Sequence, residues 1–247
     1  MDNFTTKDFW INYWKSKKDI IIDVPFKYPL SQEFEKIINK GNISTSIELG
    51  GFPGYYSVFL RKYYHINPTL LDYVIIPDII KDLLVANRLS PDTINMIEAD
   101  LFQYKTDKLY NLVFSVGLVE HFEDTEDLIH QHLKFLKEDG ILMIALPNFR
   151  GINGTIQKLF DKKNYLAHNI KCMDVLYLKS ICDRNKLKNI DINYKGKFSV
   201  WLENKDKKNL FSQIVVKLIW FIGKIIFKVI NVESKIFSPY IVLTARK

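Results

Sequence analysis

The stretch Ile47-Glu48-Leu49-Gly50-Gly51-Phe52-Pro53-Gly54-Tyr55 decides the fold. The short apolar run TSIEL leads into it and a helical period, roughly 54–63, leads out, so its glycines stand at a strand-to-helix turn. Glycines there let a ligand approach the backbone, and in doubly wound sheets ligands sit outside the carboxyl ends of the strands. Glu48 precedes the first glycine and favours a cationic ligand over a pyrophosphate.

Working outward, the apolar runs PTLLDYV, TINMIEAD, LYNLVFSVG and GILMIALPN follow at helical separations. Segments 77–88 and 124–137 read as the helices between them, with Gly140 placed to stop the last. Short β-branched runs spaced by helices mark a parallel sheet buried on both faces. Beyond Asn148 the pattern predicts a loop-rich cover, a helix near 172–185, a strand at 188–195 and a final strand PYIVLTARK. Upstream, 4–18 reads as an aromatic helix and 30–40 as a second one ended by Gly41. This divides the chain into a helical cap, 1–43, and a domain, 44–247, with cover elaborations at 149–187 and an apolar helical insertion at 205–237.

Two more acids fall at strand ends. Asp72 ends the second strand, where a carboxylate can accept from both hydroxyls of a ribose. Asp100, in Glu98-Ala99-Asp100-Leu101, can accept from the exocyclic amine of adenine. Three acids at three successive strand ends make a nucleoside site. S-adenosylmethionine (SAM) fits it, with an ammonium, a sulfonium and no phosphate.

On these residues the chain resembles the class I SAM-dependent methyltransferases. Glu48, Gly50 and Gly54 match their first motif, Asp72 their second-strand acid and Asp100 their adenine-contacting acid. Phe52 departs from the pattern, standing where the family has its middle glycine. Ser115-Val116-Gly117-Leu118-Val119-Glu120-His121-Phe122 looks like the "LEH" segment of bacterial small-molecule members. The resemblance implies a Rossmann-like, mostly parallel doubly wound α/β sheet with a helical amino-terminal cap and a carboxy-terminal antiparallel strand. It implies SAM held by Glu48, Gly50, Gly51, Gly54, Tyr55, Asp72, Tyr73, Asp100, Leu101, Ser115 and Val116. His121, just past the fourth strand, is the candidate general base for a hydroxyl acceptor. Tyr13 and Trp14 on the cap, with Asn148, Arg150 and His168 after the fifth strand, are the candidate acceptor contacts. The LPNFRG segment is similar to that of proteins of surface-glycan synthesis, which implies O-methylation of a sugar, sugar phosphate or related phosphorylated small molecule.

Other classes are disfavoured. The fourth strand lacks the Asp/Asn-Pro-Pro-aromatic tetrad of base methyltransferases, and no aromatic-plus-basic platform for single strands is visible, so no nucleic-acid partner is expected. Lysine and arginine outnumber acids 35 to 28, which permits anionic partners without choosing one. Cys172 and Cys182 stand outside any metal-ligand spacing, so no metal is expected, and with no secretory signal at the start a reducing cytoplasm is the default. NLFSQIVVKLIWFIGKIIFKVIN, 209–231, is apolar except for a stripe of Gln213, Lys217, Lys224, Lys228 and Asn231. Packing on the core, a homodimer contact and peripheral membrane contact through 210–231 all remain open for it. Two further readings compete with the methyltransferase: an NAD-dependent dehydrogenase, and a non-catalytic, membrane-docked SAM-binding protein.

Overall fold

The structure is a computed structural model that describes residues 6–17, 19–203, 208–230 and 232–247. One sheet organises it, from β1 (Thr45–Leu49), β2 (Asn67–Asp72), β3 (Asn95–Glu98), β4 (Tyr110–Val116), β5 (Leu136–Pro147), β6 (Lys188–Lys195) and β7 (Tyr240–Arg246). The strand order is β3-β2-β1-β4-β5-β7-β6. The first five strands run parallel, and β7 lies antiparallel between β5 and β6. The helices are α1 (Lys7–Ser16), α2 (Ser31–Lys40), α3 (Tyr55–Tyr64), α4 (Pro77–Ala86), α5 (Thr125–Lys134), α6 (Ile152–Phe160), α7 (Lys162–Leu166), α8 (Val175–Arg184) and α9 (Leu210–Val229).

The period of two along a strand explains the two cores. In β5, Leu142, Ile144 and Leu146 meet Leu128 and Ile129 of α5 and Leu178 and Ile181 of α8 on one face. Ile141, Met143 and Ala145 turn to the other face, against Phe34 and Ile37 of α2 and Val58 and Phe59 of α3. Both faces are therefore covered, which is why this run is apolar throughout rather than alternating.

Three expectations need correction. Gly140 does not stop a helix: α5 ends at Lys134, and β5 is already paired at Leu136 with Tyr110. Leu112 then pairs with Ile141, so 137–140 bulge out of the ladder, with Asp139 at φ 59°. The cover after Asn148 is helical rather than loop-rich, because α6 and α7 occupy it. Gly154 hides α6 from propensity reasoning, since a Cβ there would lie 1.7 Å from the Phe149 carbonyl oxygen and only glycine fits. Finally, α9 does not disappear into the core. Val216 and Phe227 join a small cluster with Ile156, Phe198 and Val200, while most of the helix is exposed. Asn231 of the polar stripe, residues 204–207 of the insertion, and positions 4, 5 and 18 of the first predicted helix lie outside the described residues.

Candidate active site

The β1–α3 turn is built around close approaches. Gly50 has φ 63°, and a Cβ there would lie 2.4 Å from Leu118. A Cβ on Gly51 would lie 2.3 Å from the Glu48 carboxylate, so that acid is folded flat against the turn. Glu48 is buried, and its Oε2 accepts from the Ser57 amide at 2.9 Å and the Ser57 hydroxyl at 2.6 Å. Burial pushes its pKa up to about 8, with the Ser57 hydrogen bonds opposing.

The other two acids are wired to backbone. Asp72 Oδ2 accepts from the Phe52 amide at 2.9 Å and Oδ1 from the Val74 amide at 3.0 Å. Burial raises its pKa to about 6 against those bonds. Asp100 Oδ1 accepts from the Phe102 amide at 2.9 Å, and Oδ2 from Gln103 Nε2 at 3.1 Å. An oxygen holding one such bond keeps lone-pair capacity for a ligand donor.

Two adjoining cavities open along this edge. The first is lined by Leu71, Asp72, Tyr73, Ala99, Asp100, Leu101, Phe102 and Phe122. The second is lined by Glu48, Gly51, Phe52, Tyr13, Tyr55, Tyr56 and Val116. Trp10, Trp14, Gly50, Gly117 and His121 border both. The first therefore offers acids to a nucleoside, and the second offers an acid and aromatic rings to whatever adjoins it.

Helix α1 forms the roof. Lys7 pairs with Glu98 at 2.7 Å, tying α1 to the end of β3, and Lys17 and the Tyr13 hydroxyl reach Glu203 at 2.6 and 3.1 Å. Trp10 meets His121 edge-on at 5.2 Å, and Trp14 meets Phe52 at 5.2 Å. The departure at Phe52 is thus absorbed: its amide serves Asp72, and its ring, 3% exposed, seats the roof helix.

His121 sits at the junction of the cavities. Its Nδ1 is buried and has no hydrogen-bond partner among the described residues, as has Glu120 Oε2. Burial, then the neighbouring His168, lowers the His121 pKa to about 3. The His168 ring is 4.9 Å from that of His121, and His168 Nδ1 bonds the Asn164 carbonyl at 2.6 Å. Donor atoms of Glu120, His121 and His168 lie within 4.8 Å of one another, a group that could hold a metal ion. Sequence spacing had suggested no metal, since these residues come from two distant segments.

Several predicted contacts are placed elsewhere. The Ser115 hydroxyl is buried against His132 Nε2 at 2.9 Å and does not reach the cofactor cavities. Asn148 is fully buried, and its Nδ2 donates to the carbonyls of Lys235 and Ser238 at 2.7 and 2.9 Å, so it ties down the chain entering β7 rather than meeting an acceptor. Arg150 pairs with Asp174 and lines a third cavity with Lys158, Tyr165 and Lys171, separated from His121 by the His168 and Phe149 rings. Gly54 lines neither cofactor cavity; at φ 93° it opens α3. Tyr55 borders the second cavity while its hydroxyl donates to the Ile20 carbonyl at 2.6 Å. Sequence reasoning missed Trp10, although its i, i+4 spacing from Trp14 marks one helix face. Tyr56, Phe102 and Leu118 carried no such signal.

No protein-family model matches the sequence, and no curated protein matches it. Solved structures do match. A Galdieria sulphuraria protein assigned as a sarcosine dimethylglycine methyltransferase superposes with a TM-score of 0.59 at 13% identity, covering 97% of each chain. Phosphoethanolamine N-methyltransferase 2 of Haemonchus contortus, solved with phosphomonomethylethanolamine and S-adenosylhomocysteine, gives 0.58 at 11% identity over 90% of this chain. This chain spans only 55% of that protein's length. The N-methyltransferase NodS of Bradyrhizobium japonicum gives 0.51 at 14% identity, covering 90% of this chain and 99% of its own. The fold is that of the class I methyltransferases. The β7 strand inserted antiparallel between β5 and β6 belongs to that architecture.

Proposed function

We propose that the chain is a SAM-dependent methyltransferase of a small-molecule acceptor. The observation that carries this reading is the order of acids along one sheet edge. Asp72 and Asp100 face one cavity, Glu48 the next, and the glycine turn joins them. Asp72 would take the ribose hydroxyls, Asp100 the adenine amine, and Glu48 the ammonium. Gly50 and Gly51 let Leu118 and the Glu48 carboxylate close onto the turn, which fixes that acid beside the second cavity. When bound, SAM supplies an electrophilic methyl on a sulfonium. The protein's contribution is alignment, since an in-line displacement gains most from positioning.

The same turn argues against a dinucleotide dehydrogenase. Its Phe52 amide is already given to Asp72, and Glu48 lies where a pyrophosphate would need donors.

For the acceptor, the proposal is O-methylation of a sugar, sugar phosphate or related phosphorylated precursor, in the reducing cytoplasm where Cys172 and Cys182 stay free. Support comes from the basic third cavity beyond His168, with Arg150, Lys158 and Lys171. His121 borders both cavities and would orient an acceptor hydroxyl there; its low pKa suits that better than storing the proton. A second reading is favoured by the second cavity itself. Trp10, Tyr13, Trp14, Tyr55 and Tyr56 give it an aromatic wall that attracts a cationic amine, which points to N-methylation.

Calorimetric titration of SAM and S-adenosylhomocysteine into wild type and Asp72→Ala tests the reading. Micromolar binding that weakens at least about 100-fold in the variant supports it. NADH binding without SAM binding would refute it. An acceptor panel split into hydroxyl and amine compounds then separates the two acceptor readings.

A further inference from the structure

We propose that α9 lies flat in the surface of an anionic lipid bilayer and docks the protein there. One face of this helix belongs to the protein. Ser212, Val216, Gly223 and Phe227 are buried, and Phe227 stacks on Phe198 with ring centroids 5.4 Å apart. A Cβ on Gly223 would lie 2.0 Å from the Phe198 ring, so the helix is pressed onto its support.

None of the described residues covers the opposite face. With about 100° of rotation per residue, Phe211, Leu218, Phe221, Ile222, Ile225 and Val229 share one side. They are 71%, 54%, 56%, 54%, 56% and 87% exposed. Lys217, Lys224 and Lys228 fall on a strip along one edge of that side, and α9 has no acidic residue. Protein below, apolar side chains above and a cationic rim between them describe a helix in the membrane interface.

Length and composition would also allow α9, 20 residues long, to cross a bilayer, since an 18-residue window of it has a mean hydropathy of 1.9. Crossing would strip the inner face from Phe198 and place three lysines in hydrocarbon. A second copy of the chain is a poorer occupant than lipid, because a two-fold contact sets like lysine rows against each other. An anionic lipid surface satisfies the apolar face and the rim together.

The helix that supports the inner side of α9 also lines a cavity. Ile152, Ile156 and Phe160 of α6 pack toward the cluster that seats α9, while Thr155, Lys158 and Leu159 of the same helix line the basic third cavity. Leu159 is 69% exposed.

The test uses the full chain with vesicles of phosphatidylcholine alone or mixed three to one with phosphatidylglycerol, a composition on the order of natural anionic surfaces. Wild type should sediment with the mixed vesicles and far less with neutral ones. Lys217→Glu/Lys224→Glu/Lys228→Glu should lower partitioning at least about tenfold. Phe221→Asp/Ile225→Asp should abolish it while leaving circular dichroism and the SAM titration unchanged, since both side chains point away from the fold. Wild type remaining in the supernatant with both vesicles would overturn the proposal, as would partitioning indifferent to both variants. Resistance to alkaline carbonate extraction from cell membranes would replace docking with crossing. A dimer dissolved by Phe221→Asp, without lipid binding, would give the face to a second copy.

Discussion

The two halves of the sheet's carboxyl edge use their polar side chains in opposite ways. At the ends of β1, β2 and β3, Glu48, Asp72 and Asp100 take bonds from neighbouring amides and side chains, and all three still border a cavity. At the end of β4 and just past β5, Ser115 and Asn148 give their hydrogen-bonding groups to His132 and to the chain before β7. The difference lies in what the partners leave open. Amides at loop and helix starts bind single carboxylate oxygens and leave the group facing a cavity, whereas the His132 ring and the chain before β7 pack over the groups they bind.

Gly51→Ala should break the cofactor half most severely. The new Cβ would overlap the Glu48 carboxylate at 2.3 Å and force that acid out of its bonds to Ser57. SAM affinity should fall at least about 100-fold, with stability lowered by about 1–3 kcal/mol. In the double variant with Glu48→Ala, stability should return and affinity should not. Thermal melts and calorimetry on the pair read the two effects apart. If affinity returned as well, the turn would matter only through sterics.

A pH series sharpens the same half. Burial holds the Glu48 pKa near 8 and the Asp72 pKa near 6, both above the carboxyls' ordinary values. The native state therefore binds protons that the unfolded chain has released, and ligand-free stability should fall as pH rises from about 4.5 to about 8. Burial holds the Glu120 pKa near 8 as well, so Glu48→Gln should remove only about half of that slope while stabilising the ligand-free protein at pH 8 by on the order of 3 kcal/mol. It should also weaken SAM binding, because the ammonium loses its counter-charge. His132 works in the other direction: its pKa is lowered to about 4 by burial, so its contribution is lost below about pH 6. A melting temperature that rose steadily from pH 5 to 8 would contradict the assignment of Glu48 as a buried, proton-holding acid.

What the sequence showed follows the same division. The strand runs, the glycine turn and the three acids were legible because each is a local pattern, read from residues within one turn of each other. Trp14 was legible on the cap while Trp10 was missed, and only the structure shows that the face they share borders two cavities. His121 and His168 were each singled out, but their grouping with Glu120 escaped, because it depends on the 168–173 segment folding back on the 119–121 turn, where the Asn169 amide meets the Glu120 carbonyl at 2.7 Å. Asn148 was misread for the same reason. A polar residue after a strand looks like a binding group until the carbonyls it serves, here of Lys235 and Ser238, arrive from nearly ninety residues away.

Asn148→Ala tests that misreading with the smallest of these effects. The side chain donates to two carbonyls and accepts from the Arg150 amide at 3.2 Å, and all three groups sit at the junction of β5, α6 and the chain entering β7. Removing it leaves carbonyls unpaired in a dry site, which costs about 1–3 kcal/mol. The loss should appear in denaturant melts, while SAM affinity stays within about twofold, since the residue borders neither cofactor cavity. Asn148→Asp should be at least as damaging, because a carboxylate facing two carbonyl oxygens replaces donors with a repelling acceptor. If Asn148→Ala instead spared stability and raised KM for the acceptor alone, Asn148 would belong to the acceptor site, and the contrast between the two halves of the edge would fail at its clearest point.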